Sequence, residues 1–216
     1  MTRKFLARRP AQIALASGAT FAAFLAFSSV SQAATCPTRP TSTIFSSFND
    51  SNYYFGMPGG SFEAGAPGWS FVNAGIVGNT NESFQLGGAA DKNALKLSNS
   101  ASVTSAPICI NPQIPMLRFF VKSNIAPGST GNYSQLNVSA VIKNSAGSQL
   151  TYFLGQLQGS SYGSWTLSPQ FTWGKQFDSW LFQADGTATL QLQLTYQGQG
   201  GQWWIDDVYV DPVLRT

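Results

Sequence analysis

Two stretches of strict alternation limit what this chain can fold into more than any other feature. In Gln135–Lys143, Leu136, Val138, Ala140 and Ile142 share one side, while Gln135, Asn137 and Ser139 share the other. In Thr189–Tyr196, Leu190, Leu192, Leu194 and Tyr196 alternate with Gln191, Gln193 and Thr195. Successive side chains of a strand leave on opposite faces, so period two over this length predicts half-buried strands. Shorter apolar runs predict further strands at Ile44–Phe48, Trp69–Val72, Ala94–Leu97, Met116–Lys122, Leu150–Leu157, Phe177–Phe182 and Trp203–Val210. Turn residues punctuate them at Pro58-Gly59-Gly60, Gly87-Gly88, Pro127-Gly128, Asn144 to Gly147, Asp185-Gly186 and Gly198 to Gly201. No amphipathic helical pattern follows residue 34, and the expected architecture is an all-β antiparallel sandwich.

The first 33 residues read differently. Arg3, Lys4, Arg8 and Arg9 precede an uncharged apolar run from Ala11 to Phe27, and Ser31-Gln32-Ala33 offers small residues around a cleavage point. This is the layout of a secretory signal peptide, a helix removed after Ala33. The rival reading is a retained anchor, but the run is at the short limit for crossing a bilayer. The expected organisation is therefore a leader at 1–33, a Pro- and Thr-containing lead-in at 34–43, and one domain at 44–216, secreted and with no membrane contact after cleavage.

Removing the leader changes the electrostatics. Four of the 12 basic residues lie in it and none of the nine acidic ones, so eight basic face nine acidic residues in the remainder. The chain's net +3 belongs to the leader, and nucleic acid is not an expected partner. Cys36 and Cys109 are the two cysteines, both beyond the leader, and in an oxidising compartment they are expected to form one disulfide. Lipidation at Cys36 is the alternative, but Thr35 precedes it where such signals want a smaller residue.

The chain contains no histidine. That excludes Ser-His-Asp and Cys-His nucleophile systems, a histidine general base and histidine-ligated zinc. Hydrolysis would need paired carboxylates, with Asp178, Asp185, Glu82 and Asp91 the residues to test. No catalytic signature is present, and the chain is not expected to be an enzyme or to require a cofactor.

Two motifs carry a resemblance. Gly59-Gly60-Ser61-Phe62-Glu63 with Gly68-Trp69, and Ile205-Asp206-Asp207-Val208 near the end, resemble the first and last strands of jelly-roll, galactose-binding-like carbohydrate-binding modules. A longer pattern runs from Phe48 and Asp50 through Ser105…Cys109 and Leu117-Arg118-Phe119-Phe120 to Ile205–Pro212. It is similar to a largely uncharacterised family of small secreted proteins from high-GC Gram-positive bacteria, and brings no activity with it. The module resemblance implies that the first and last strands lie together and share a structural calcium ion. It carries Glu63 and Asp206 as metal ligands, with Asp207 the alternative to Asp206. The competing reading is that these carboxylates only accept backbone hydrogen bonds at a sheet end.

The candidate ligand-binding residues are Tyr162, Trp165, Trp173 and Trp180, grouped among Gly, Ser and Pro, with the outward Asn137, Gln191 and Gln193. Indole rings cover the apolar faces of a pyranose, and amides take its hydroxyls without the desolvation cost of charges. Trp69 and Trp204 are expected in the core, and Arg118 outward or paired. The sequence points to a non-catalytic domain that binds a glycan or cell-wall polymer. The alternatives are a structural or protein-interaction domain of the envelope or matrix and, further off, a carboxylate-dependent hydrolase. The residues do not reveal the oligomeric state.

Overall fold

The computed structural model of the chain describes residues 36–111, 116–126, 128, 135–172, 186–198 and 200–211. The leader, the expected strand Phe177–Phe182, and Trp173, Trp180, Asp178 and Asp185 lie outside the described residues. The described residues hold no α-helix and form eleven strands. These are β1 (Phe55–Gly56), β2 (Ser70–Gly78), β3 (Asn93–Thr104), β4 (Ile108–Ile110), β5 (Met116–Ser123) and β6 (Gln135–Asn144). The rest are β7 (Gln149–Gln158), β8 (Thr166–Leu167), β9 (Phe171–Thr172), β10 (Ala188–Tyr196) and β11 (Trp203–Asp211).

The two alternating stretches become neighbours. Strands β6 and β10 pair antiparallel, with Leu190 opposite Ile142, Leu192 opposite Ala140, Leu194 opposite Val138 and Tyr196 opposite Leu136. All eight side chains are fully buried. Each Leu, Ile or Val so buried contributes about 1.5–3 kcal/mol, and a slip by one residue would turn the whole set to solvent. Register is fixed by that penalty.

All pairings between the named strands are antiparallel, and the strands run in the order β7-β6-β10-β3-β11-β5-β8. The long β3 joins two halves of this curled sheet. Its end, Ala101–Thr104, pairs with β10, and its beginning, Leu95–Leu97, pairs with β11. Between them the backbone breaks: Ser100 takes a left-handed φ of 57°, and Asn73 on the partner β2, at φ 50°, donates its side-chain N–H to the Ser100 carbonyl at 3.3 Å. Asparagine tolerates that region better than most residues. The register of β2 on β3 shifts there as well, and such a bulge sharpens the local bend. The result is one curled sheet whose two halves, the first and second sheets, face one core. The first sheet is β7, β6, β10 and the ends of β3 and β2 that meet them; the second is the remainder of β2 and β3 with β11, β5 and β8.

The expected strand at Ile44–Phe48 is instead a 3-10 turn over Ser46–Phe48. The reason is spacing: Phe45 and Phe48 are three apart, which puts both rings on one side of such a turn, 6.5 Å centroid to centroid. With Tyr54 and Phe120 they build a second apolar cluster on the outer side of the second sheet. Cys36 and Cys109 are bonded, with Cα atoms 5.4 Å apart, which pins the lead-in to β4.

Candidate functional site

The first and last motifs do meet. Val208 donates its N–H to the Gly60 carbonyl at 3.0 Å, and Met57 donates to the Val208 carbonyl at 2.8 Å. Beside this junction β11 bulges between Asp206 and Tyr209, where Asp207 takes a left-handed φ of 49°. The bulge turns Asp207 toward Glu82 and Asp91. One carboxylate oxygen from each of these three buried residues lies within 4.8 Å of the other two. Among the described residues, neither Asp91 oxygen nor Oδ2 of Asp207 meets a hydrogen-bond donor. Glu82 accepts the backbone N–H groups of Phe84 and Leu86.

The two carboxylates that the resemblance implied as ligands stand around this trio. Glu63 is exposed and accepts the N–H groups of Lys92 at 2.8 Å and Asn93 at 2.5 Å. Asp206 is fully buried and accepts the N–H groups of Glu82 at 3.1 Å and of Asp207 at 2.9 Å. The grouping is thus centred one residue further along β11, on Asp207.

Burial pushes Asp91 up to about 7, helped by the neighbouring Glu63 carboxylate and by the charge of Asp207. Asp207 is likewise raised to about 7 by burial and by the charges of Glu82 and Glu63. Asp206 is pushed to about 9 by burial and by its neighbour Asp207. Buried carboxylates without donors need either protons or a cation. Hard oxygen donors of this kind suit calcium, so the residues fit a structural ion. Glu82, Asp91 and Asp207 are each at most 7% exposed, a burial that suits an enclosed ion better than a substrate.

A different surface suits a ligand. On the outer face of the first sheet, one cross-strand row reads Gln156, Asn137, Thr195, Ser102 and Val72. The next reads Phe153, Ser139, Gln193, Thr104 and Ser70. The face carries no charge in these rows. Phe153 is 63% exposed and Val72 58%. Five strands at about 4.8 Å spacing give a width of about 19 Å.

Of the candidate ligand-binding residues, Asn137, Gln191 and Gln193 share this face, and Gln191 spends its side-chain N–H on the Ser105 carbonyl at 2.8 Å. Tyr162 and Trp165 are not with them. The Tyr162 ring lies 5.9 Å from Trp203 and packs on the main core. Trp165, half-buried, leans on the second apolar cluster. Trp69 is a core residue, 9% exposed, with its indole N–H on the Pro58 carbonyl at 2.8 Å. Trp204 is not. It follows the fully buried Trp203 on a strand, so it must leave on the other face, and it is half-buried there. Alternation alone would have exposed that difference. Phe153 could have been found the same way, had its bulge at Leu154 been legible.

No family model matches the sequence, and no curated protein does. Solved structures do resemble the fold. One is a family 61 carbohydrate-binding module in complex with β-1,4-galactotriose, with TM-score 0.42, 10% identity, and 71% of this chain and 95% of that one covered. Another holds the family 22 and catalytic modules of a Clostridium thermocellum xylanase with xylohexaose, at TM-score 0.47 and 15% identity, covering 69% of this chain and 27% of that one. A third is a xylan-binding family 22 module from Paenibacillus barcinonensis, at TM-score 0.44 and 13% identity, covering 72% and 93%. These neighbours are carbohydrate-binding modules, the class that the terminal motifs resemble. The likeness is one of fold.

Proposed function

We propose that this protein is a secreted, non-catalytic domain that binds a neutral carbohydrate chain across the outer face of its first sheet. The observation that carries the reading is the pair of uncharged rows ending on Phe153 and Val72. The amides of Gln156, Asn137 and Gln193 both donate and accept, which matches sugar hydroxyls. The exposed Phe153 ring offers an apolar plane for a pyranose face. The ligand class extends to cell-wall glycans. Glu82, Asp91 and Asp207 would hold a structural calcium ion far from any chemistry; when bound it supplies the positive charge that the buried carboxylates lack.

Affinity electrophoresis against a panel of neutral polysaccharides tests this. At least one should retard the protein, and Phe153→Ala and Gln193→Ala should each weaken that retardation about tenfold, close to 1.4 kcal/mol, with thermal stability unchanged. No retardation by any member overturns the reading.

One observation favours a second reading, a protein-interaction domain of the envelope. Among the described residues β7 pairs with β6 alone, and it exposes Leu150 by 44% as well as Phe153. Such an edge can accept a partner's strand. Binding to envelope fractions that protease treatment abolishes would favour it over the glycan.

A further inference from the structure

The outer face of the second sheet carries a feature of opposite character. Lys96 sits between the buried Leu95 and Leu97 of β3, Trp204 between the buried Trp203 and Ile205 of β11, and Lys122 between the buried Val121 and Ser123 of β5. All three side chains therefore leave on the same outer face. Register places Trp204 opposite both Lys96 and Lys122. The two ammonium groups lie 5.9 and 5.7 Å from the indole centroid. Neither lysine forms an ion pair among the described residues, where the salt bridge is that of Arg118 with Asp50.

Next to this row the surface is open. Gly75 is opposite Lys96, and a side chain added at Gly75 would meet nothing within 4 Å. A groove of about 290 Å³ lined by Gly75, Lys96 and Ser98 shares Ser98 and Asn73 with a depression of about 660 Å³. That depression is lined by Asn73, Asn99, Asn124 and Gln202; Asn73 also donates to the Ser100 carbonyl, and Asn124 Oδ1 accepts the Gln202 N–H. Two unpaired cations around one indole, continuing into a trough of amides, make up a chemically specific combination. The cations select a negative group, the ring an apolar plane, and the amides hydroxyls.

We infer that this face binds an acidic glycan, with the negative group of one sugar residue between Lys96 and Lys122, its ring against Trp204, and the chain continuing over Gly75 into the amide-lined depression. The site is separate from the uncharged face of the first sheet and stands or falls independently of it. Opposite charge also steers such a polymer to the face, an effect that weakens with salt over a screening length of about 8 Å at physiological ionic strength.

Calorimetry and affinity electrophoresis of the full chain test the inference, with polygalacturonate, its carboxyl-reduced neutral form and poly(glycerol phosphate) as probes. Polygalacturonate should bind at least tenfold more tightly than the other two. Lys96→Met with Lys122→Met should remove that preference, and Trp204→Leu should weaken polygalacturonate at least fivefold while both lysines remain. Gly75→Glu, which fits the open space and places a carboxylate beside Lys96, should do the same without touching the core; Phe153→Ala should leave this binding unchanged. Absence of binding to polygalacturonate overturns the inference. So does equal binding of poly(glycerol phosphate), which has no sugar ring, or full affinity in Trp204→Leu. Either would reduce the face to a general anion exchanger.

Discussion

Gly60 and Val208, far apart in the sequence, are held together by a 3.0 Å hydrogen bond from the Val208 N–H to the Gly60 carbonyl. The contact is close enough to demand glycine. A Cβ at Gly60 would stand 3.0 Å from the Met57 carbonyl oxygen, 3.0 Å from the Val208 Cβ and 3.1 Å from the Val208 carbonyl oxygen. Backbone cannot swing away as a flexible side chain can. Gly60→Ala is therefore expected to cost about 1–3 kcal/mol by overpacking, measured as a lower urea midpoint. Gly163→Ala, where an added Cβ meets nothing within 4 Å, should leave the midpoint unchanged.

The same junction shows what a sequence can and cannot disclose. Alternation in Leu136–Ile142 and Leu190–Tyr196 gave both strands and their buried faces, because period two depends only on neighbouring residues. Which of Asp206 and Asp207 faces the other carboxylates depends on a bulge, and a bulge inverts alternation for the residues it displaces. Glu82 and Asp91 were visible as carboxylates but not as companions of Asp207, since the loop between β2 and β3 that presents them has no periodic signal. Lys96 and Lys122 escaped for a related reason. A charge reading along the chain looks for runs, whereas these two converge only through their separate pairings with β11.

Asp50 anchors the segment after the 3-10 turn to the second sheet. Its Oδ2 accepts the Arg118 guanidinium at 2.6 Å and the Tyr54 hydroxyl at 2.7 Å, and Arg118 also donates to the Ser168 carbonyl. Burial pushes the Asp50 carboxyl up, but the hydrogen bonds from Tyr54, Arg118, the Asn52 N–H and Gln170 outweigh it and hold the group below its ordinary value. A depressed acid stabilises the fold above its unfolded pKa of about 3.9 and loses that contribution as pH falls through the folded value. Arg118→Met should cost about 3–5 kcal/mol, because it leaves a buried carboxylate unpaired. Asp50→Asn should destabilise at pH 7 and flatten the acid side of the stability profile, as followed by urea unfolding between pH 2 and 6.

The disulfide acts through the unfolded chain. Cys36 and Cys109 are separated by 73 residues, and closing a loop of that length is worth about 4 kcal/mol in lost chain entropy. Cys36→Ser with Cys109→Ser should lower the melting temperature by about 10 °C for a domain of this size. A scan of the oxidised protein with and without reductant should reproduce the loss. If both scans coincide, the lead-in is held by its other contacts, among them Arg39 stacked over Phe55 at 4.7 Å and the pairing of Ser42 with Tyr54.

The carboxylate cluster predicts a pH dependence of the opposite sign to that of Asp50. Asp91 and Asp207 are raised to about 7 and Asp206 to about 9, so in this range the folded chain holds protons that the unfolded chain has released. Stability then falls with rising pH, from about 4, where unfolded carboxyls ionise, through 7 and on toward 9. A calcium ion held by Glu82, Asp91 and Asp207 should reverse the slope by taking the place of the protons. In chelator the melting temperature should drop steadily from pH 4.5 to pH 8. Calcium at about 1 mM, within the affinity range of extracellular calcium modules, should restore it at pH 8 and do nothing at pH 4.5, where protons already occupy the oxygens. Asp207→Asn removes one of the repelling charges, so it should raise the chelated protein's stability at pH 8 while abolishing the response to calcium. A variant that keeps the full calcium response would show that the ion sits elsewhere. A variant that keeps the wild-type pH slope would show that the raised carboxyls are not what drives it.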